Sequence, residues 1–130
     1  ATFTLDMRSP TEKGFHEAQK LVRDTLEEIK AEGKIGVEAT EFAIFGPVIF
    51  DKSIVENIVA AAEELTLSSK LMTSGAGHDA QMINRVAPSA MIFVPSKDGV
   101  SHNPLEYTSP EQLVNGANVL LRTAVRLLQS

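Results

Sequence analysis

The sequence contains no cysteine and no tryptophan, and aromatic residues make up only 5% of its 130 positions. Without cysteine, the chain forms neither a disulfide framework nor a cysteine-based metal site. Histidine is also scarce, with three in the chain, and none of them stands in an H-x-x-x-H or H-x-D spacing. Spacing alone therefore gives no indication of a metal site, since zinc needs three or four protein ligands.

Long apolar runs and an excess of basic residues are missing as well. No apolar run approaches the ~18 residues that a membrane-spanning helix requires, and no signal-peptide pattern opens the chain. The formal net charge is -5, and the basic residues are scattered rather than clustered. These absences predict a protein that binds no nucleic acid and no membrane, and cytoplasm is the expected location.

The chain does contain enough apolar residues, 43%, for a core, and its first part alternates between strand and helix patterns. Apolar and polar residues alternate over residues 3–7, which predicts a half-buried strand. A helix is predicted from a cap at Ser9 to about Glu32, with Gly33 as its end, and a second strand over residues 34–45. Because the first strand begins at the start of the chain, without an initiator methionine, we expect a fragment.

A domain junction is predicted near residues 46–51, after which helices and strands alternate. Asp51 or Ser53 can cap a helix, and Ser109 can cap a last helix that begins at Pro110. The intervening predictions are a short strand at residues 70–72, a helix at 79–86 and a buried strand at 90–94. This order predicts the α/β class with a mostly parallel sheet.

Two glycine-containing loops and one arginine hold the candidate functional residues. The loop at residues 75–77 could bind an anion through its backbone or could be only a flexible turn. His78 has a structural role at least as readily as a functional one. His102 follows the buried strand, where open α/β sheets place ligands, although spacing rules alone favour a structural role. Arg8 could pair with a surface carboxylate or bind a substrate carboxylate.

Four stretches together resemble the carboxy-terminal part of the N-carbamoyl-L-amino-acid hydrolases and allantoate amidohydrolases, which are di-zinc aminopeptidase-like hydrolases. The stretches are FTLDMR at residues 3–8, SGAGHDAQ at 74–81, MIFVPS at 91–96 and GVSHNPLEYT at 99–108. The resemblance implies that residues 1–46 end a lid or dimerisation domain and that residues 47–130 return to the catalytic domain. A homodimer or higher oligomer is expected on the same ground.

The resemblance also implies roles for individual residues. Arg8, Gly77 and His78 are expected to bind a small substrate that carries a carboxylate, and His102 is expected to bind metal. The implied cofactors are two divalent ions, zinc or manganese, and the implied chemistry is attack of a metal-bound water on a carbamoyl or ureido carbon. The family's other metal ligands and its glutamate base have no counterpart in this chain, so no catalytic residue is assigned.

Two functions remain open on these grounds. The first is a fragment of a metal-dependent amidohydrolase that cleaves linear C–N bonds, with N-carbamoyl-L-amino acids as the first expected substrate and allantoate as the second. The 130-residue chain alone is then expected to be inactive. The alternative is a non-catalytic module, derived from that family, that dimerises and binds carboxylates.

Overall fold

The computed structural model describes residues 1–129, which contain four α-helices and one short 3₁₀ turn. The helices are α1 (Glu12–Glu32), α2 (Lys52–Glu64), α3 (Asp79–Ile83) and α4 (Pro110–Gln129), and the 3₁₀ turn is Lys97–Gly99. The chain divides into two compact units. The N-terminal unit is residues 1–48 with 73–76, and the C-terminal unit is residues 49–72 with everything described from 77 onward. The assignment of lid and catalytic domains to residues 1–46 and 47–130 stays a prediction.

In the N-terminal unit, α1 ends where the sequence predicts and begins later. Gly33 ends the helix in the left-handed conformation, with φ of 66°, which glycine adopts without a steric penalty. The cap at the start is Thr11, whose hydroxyl accepts a hydrogen bond from the Gly14 N–H at 3.2 Å. The predicted cap, Ser9, instead accepts from the Thr11 N–H, also at 3.2 Å. Ser9 therefore stabilises the turn that leads into the cap.

In the C-terminal unit, the packing of α2 against α4 makes the core. Its buried apolar residues are Ala61, Ala62 and Val119. Half-buried apolar residues, Ile58, Leu65, Leu67 and Ile92, pack around them. Of the two predicted candidates for the cap of α2, Asp51 is the cap, because it accepts from the Ile54 N–H at 3.0 Å. The predicted cap of α4 is present, since the Gln112 N–H donates to Ser109 at 3.3 Å. Small residues at this contact allow the two helices to approach closely.

Polar contacts also join α2 to α4. The Arg126 guanidinium donates to Asn57 Oδ1 at 3.1 Å and pairs with the Glu64 carboxylate. Arg122 Nε lies 3.3 Å from the other oxygen of Glu64. A single carboxylate on α2 therefore pairs with two arginines of α4, which sets the register of the two helices.

The segments predicted as strands lack sheet pairing in the described chain. No residue from 1 to 129 is assigned to a strand, and no backbone hydrogen bond of that range joins residues 90–94 to another segment. A strand needs a neighbour to complete its hydrogen bonds, so an alternating or apolar pattern cannot form one alone. The predicted sheet is therefore not formed by these residues. α3 is also shorter than predicted, ending at Ile83 rather than at residue 86.

Within residues 1–129, no helix combines the length and the apolar character that crossing a membrane requires.

Candidate functional site

Arg8 is the best-defined candidate residue of the N-terminal unit, because two acceptors fix its guanidinium group. Its Nε lies 3.1 Å from Asp6 Oδ1 and 3.3 Å from Oδ2, and its Nη2 donates to Oδ2 at 2.6 Å. Its Nη1 donates to the backbone carbonyl of Gly75 at 2.7 Å. The side-on edge of the guanidinium is therefore filled by one carboxylate, and one terminal nitrogen is held by the loop.

These bonds leave part of the guanidinium available. An arginine has five N–H donors, and the contacts to Asp6 and Gly75 use one each on Nε, Nη1 and Nη2. One N–H therefore remains on each terminal nitrogen. The Arg8 side chain is 63% exposed, so a ligand can reach these donors from solvent.

The pairing changes the proton affinity of both partners. The hydrogen bond from Arg8 is the main cause that lowers the pKa of the Asp6 carboxyl below its usual value. The hydrogen bond to Asp6 in turn raises the pKa of Arg8. Asp6 is therefore ionised and Arg8 is charged throughout the neutral range.

The glycine loop contributes an acceptor to this site rather than a donor. Ser74 Oγ accepts from the Ala76 N–H at 3.2 Å, a short-range bond that holds the turn around Gly75. With the turn fixed, the Gly75 carbonyl accepts from Arg8. The loop thus acts at Arg8 through a backbone oxygen and not as an anion-binding nest of N–H groups.

Gly77 and His78 lie in the C-terminal unit, at the start of α3. The backbone N–H of His78 donates to Gln81 Oε1 at 3.1 Å, which is one arm of a capping box. Its imidazole meets the ring of Phe93 edge to face, with centroids 5.5 Å apart. Gly77 is exposed, and a Cβ there would meet only the end of the Gln81 side chain at 3.9 Å. These contacts give His78 a structural role, and substrate binding by His78 and Gly77 stays a prediction.

His102 lies in an exposed turn of the C-terminal unit that a carboxylate closes. Its backbone is left-handed, with φ of 55°, which is uncommon for a residue with a Cβ. The His102 N–H donates to Glu106 Oε2 at 2.9 Å, and the Glu106 N–H donates to the carbonyl of Asn103 at 2.9 Å. Asn103 Oδ1 accepts from the Leu105 N–H at 2.9 Å. The turn is therefore held through its backbone, which leaves the imidazole of His102 exposed.

The donor set of the described chain is incomplete for a metal ion. An exposed imidazole is a suitable ligand for zinc or manganese. No group of three or more His, Cys, Asp or Glu residues within residues 1–129 could hold an ion. His102 can therefore supply one ligand, and these residues do not fit a complete site.

Two residues of these sites, Asp6 and Glu106, were not predicted from the sequence. Asp6 and Arg8 are two positions apart, and side chains at that spacing share a face of an extended chain. That spacing is the signal that identifies the pair. Glu106 has no such signal, because its partner is a backbone N–H whose direction depends on the left-handed turn at His102.

Comparison with known proteins places these residues in a family. Residues 8–126 match Peptidase family M20/M25/M40. The chain is 36% identical over 126 residues to a ureidoglycolate hydrolase from Arabidopsis thaliana, covering 95% of this chain and 26% of that protein. It is 34% identical over 120 residues to an N-carbamoyl-L-amino-acid amidohydrolase from Paenarthrobacter aurescens, covering 92% of this chain and 29% of that protein. It is 48% identical over 80 residues to an allantoate amidohydrolase from Bacillus subtilis, covering 62% and 19%.

Solved structures give the same result at the level of the fold. The crystal structure of AtUAH in complex with glyoxylate matches with a TM-score of 0.72 and 35% identity, covering 85% of this chain and 26% of that one. An amidase of the hydantoinase/carbamoylase family from Burkholderia vietnamiensis matches with a TM-score of 0.76 and 35% identity, covering 88% and 28%. These neighbours fit the α/β hydrolase class.

The chain thus spans about a quarter to three tenths of the length of the relatives that it matches over most of its own length. The match covers both Arg8 and His102. On the extent of that match, the chain belongs to Peptidase family M20/M25/M40, and its relatives include amidohydrolases of carbamoyl and ureido compounds.

Proposed function

We propose that this chain supplies the carboxylate-binding part of an amidohydrolase that cleaves linear C–N bonds of carbamoyl or ureido compounds. The observation that carries the proposal is the arrangement of Arg8, which is held by Asp6 and by the Gly75 carbonyl and still has exposed N–H donors. A guanidinium group in a fixed orientation suits the two oxygens of a carboxylate.

The names of the relatives indicate the class of substrate. Allantoate, ureidoglycolate and N-carbamoyl amino acids each carry a carboxylate together with a linear carbamoyl or ureido group. AtUAH has been crystallised with glyoxylate and with (S)-hydroxyglycine, two small carboxylates. We propose a substrate of the same kind here, with N-carbamoyl-L-amino acids first and allantoate second, and Arg8 as the residue that binds its carboxylate. Gly77 and His78, which lie in the C-terminal unit, are also proposed to bind substrate.

Hydrolysis would need divalent metal ions, and His102 is proposed as one ligand, with the remaining ligands outside residues 1–129. The turn closed by Glu106 supports this role, because it holds the backbone while the imidazole stays exposed. No catalytic step is assigned to the described residues. A cytoplasmic location and a homodimer or higher oligomer complete the proposal, and sedimentation analysis of the purified protein tests the oligomer.

The proposal predicts that Arg8 binds small carboxylates and that an equally exposed arginine does not. Glyoxylate is titrated into isotope-labelled protein, and binding is followed by NMR at the backbone amides of residues 74–76, which lie beside Arg8 and are present in every variant. Arg8→Ala is expected to weaken glyoxylate binding about tenfold or more, because the charged donors are lost. Arg8→Lys keeps the positive charge but loses the planar donors, so its affinity for glyoxylate is expected to lie between those of the wild type and Arg8→Ala.

The matched control is Arg23→Ala. Arg23 pairs with Glu41 at 3.4 Å, and the two side chains are 55% and 53% exposed, close to the values of 63% and 61% for Arg8 and Asp6. If Arg8→Ala and Arg23→Ala weaken glyoxylate binding equally, the binding is general electrostatic attraction and Arg8 is not the site.

The non-catalytic module remains the second candidate. It is favoured by the incomplete donor set, because no cluster of metal ligands exists within residues 1–129 while the Arg8 arrangement needs no metal. The two functions share the carboxylate site and differ in hydrolysis, so activity separates them.

A further inference from the structure

We propose that Asp6 is a positioning residue that fixes the orientation of the Arg8 guanidinium and thereby makes Arg8 selective for anions with two oxygens, such as carboxylates. This inference rests on the proposed function of Arg8 and assigns the source of its selectivity.

The geometry of the pair is the first argument. Asp6 contacts both Nε and Nη2, so the plane of the guanidinium follows the plane of the carboxylate. The Gly75 carbonyl holds Nη1 from a segment 67 positions away in the sequence, which fixes the third nitrogen. All three nitrogens are bonded, and the directions of the two remaining N–H donors are therefore set before a ligand arrives.

Exposure is the second argument. The side chains of Arg8 and Asp6 are 63% and 61% exposed, and an unpaired arginine at such a position samples many rotamers. An ion pair so exposed contributes little to the stability of a fold. Its effect is therefore expected on the orientation of Arg8 and on ligand binding, and not on folding.

The negative charge of Asp6 opposes anion binding at Arg8, whereas its hydrogen bonds to Arg8 favour it. A carboxylate next to Arg8 partly cancels the attraction of the guanidinium for any anion, whatever the shape of that anion. Orientation, in contrast, favours an anion whose two oxygens meet two N–H directions and gives little to a spherical ion. The ratio of the affinities for glyoxylate and chloride separates the two effects. Removing the negative charge of Asp6 raises the affinity of Arg8 for both anions, whereas freeing the Arg8 guanidinium to rotate lowers only the affinity for glyoxylate.

The test is Asp6→Asn, compared with the wild-type chain at constant ionic strength. Sodium glyoxylate and sodium chloride are titrated separately, and the Arg8 Nε–H signal is followed by NMR. The affinity for glyoxylate relative to chloride is expected to fall on the order of fivefold in Asp6→Asn and further in Asp6→Ala, because the amide keeps one acceptor oxygen and alanine keeps none. Proton exchange at Arg8 Nε is expected to become faster in the same order.

Glu41→Gln is the matched control, since it removes the carboxylate of the comparable Arg23 pair. It is expected to leave both anion affinities at Arg8 unchanged. Helical circular dichroism checks that each variant is folded. If Asp6→Asn leaves the glyoxylate-to-chloride ratio unchanged or raises it, Asp6 is only a counter-charge and the inference is wrong. That result leaves the proposed function intact, whereas equal glyoxylate affinity in the wild type and in Arg8→Ala contradicts the proposed function itself.

Discussion

At the scale of single residues, both candidate sites consist of a candidate side chain and a carboxylate that bonds to that side chain or to its backbone. Asp6 bonds to the side chain of Arg8, and Glu106 bonds to the backbone N–H of His102. The two carboxylates therefore act differently, one on the direction of a guanidinium and one on a backbone conformation. A left-handed conformation costs a residue other than glycine about 1–2 kcal/mol. The hydrogen bond that the His102 N–H donates to the Glu106 carboxylate offsets part of that cost.

Glu106→Ala is therefore expected to loosen the turn at His102. The backbone N–H loses its acceptor, and a net hydrogen-bond contribution of about 1 kcal/mol corresponds to roughly fivefold faster amide exchange at His102. Hydrogen exchange followed by NMR measures this rate. Glu106→Gln is the matched variant, because its amide oxygen can still accept the bond, and it is expected to change the rate less. Equal exchange rates in all three proteins would show that the rest of the turn holds His102 without Glu106.

At the scale of elements, the approach of α4 to residues 90–94 depends on a glycine. A Cβ placed on Gly116 would lie 2.4 Å from Cγ1 of Val94, closer than any real contact of this kind. The side chain of valine is stiff at χ1 and cannot move aside without a cost. Gly116 thus allows a close contact at the expense of helix propensity, and this contact places the segment that the sequence predicts as a buried strand.

Gly116→Ala tests which of these two effects is larger. Alanine improves helix propensity by about 1 kcal/mol, and overpacking costs about 1–3 kcal/mol. We expect the free energy of unfolding, measured with urea, to fall by about 1 kcal/mol. In a Val94→Ala background the same change is expected to raise it, since the clashing methyl group is gone. Gly36→Ala, at a glycine with nothing within 4 Å of the added Cβ, is the control. A stabilising effect of Gly116→Ala with Val94 intact would contradict this account.

At the scale of the whole molecule, the described residues contain one proposed metal ligand and all the residues of the proposed carboxylate site around Arg8. The relatives that share the family are about three to four times longer than the part that this chain matches. The proposed carboxylate site uses only Arg8, Asp6 and the loop at Gly75, whereas the proposed hydrolysis would use metal ions, and no group of three or more His, Cys, Asp or Glu residues within 1–129 could hold one.

We therefore expect the 130-residue chain with added zinc or manganese to bind glyoxylate without hydrolysing N-carbamoyl-L-amino acids or allantoate. Release of ammonia or of the free amino acid measures turnover. The intact mass of the protein expressed from its natural gene, compared with 14.1 kDa, shows whether a longer protein exists. If it does, that longer protein, assayed with the same metals, is the control. Measurable turnover by the short chain would contradict this prediction. No turnover by a natural product of about this mass would favour the non-catalytic module.

Local features of this protein follow from short stretches of its sequence. The caps at Asp51 and Ser109, the end of α1 at Gly33 and the family motifs around Arg8 and His102 depend on residues that lie close together in the chain, so local chemistry is enough to predict them. The predicted start of α1 at Ser9 is wrong, because the Ser9 hydroxyl accepts from the Thr11 N–H, whereas the Thr11 hydroxyl accepts from the Gly14 N–H inside the helix.

Features that join distant segments depend instead on how the chain packs. The bond between Arg8 and the Gly75 carbonyl, the pairing of Glu64 with two arginines of α4 and the close contact of Gly116 with Val94 each connect parts of the chain that no local pattern relates. The predicted strands show the same limit, because a strand forms only when a neighbour completes its hydrogen bonds, and residues 1–129 provide none. Local sequence limits which secondary structures a segment can adopt, and contacts with distant segments determine which of them it adopts.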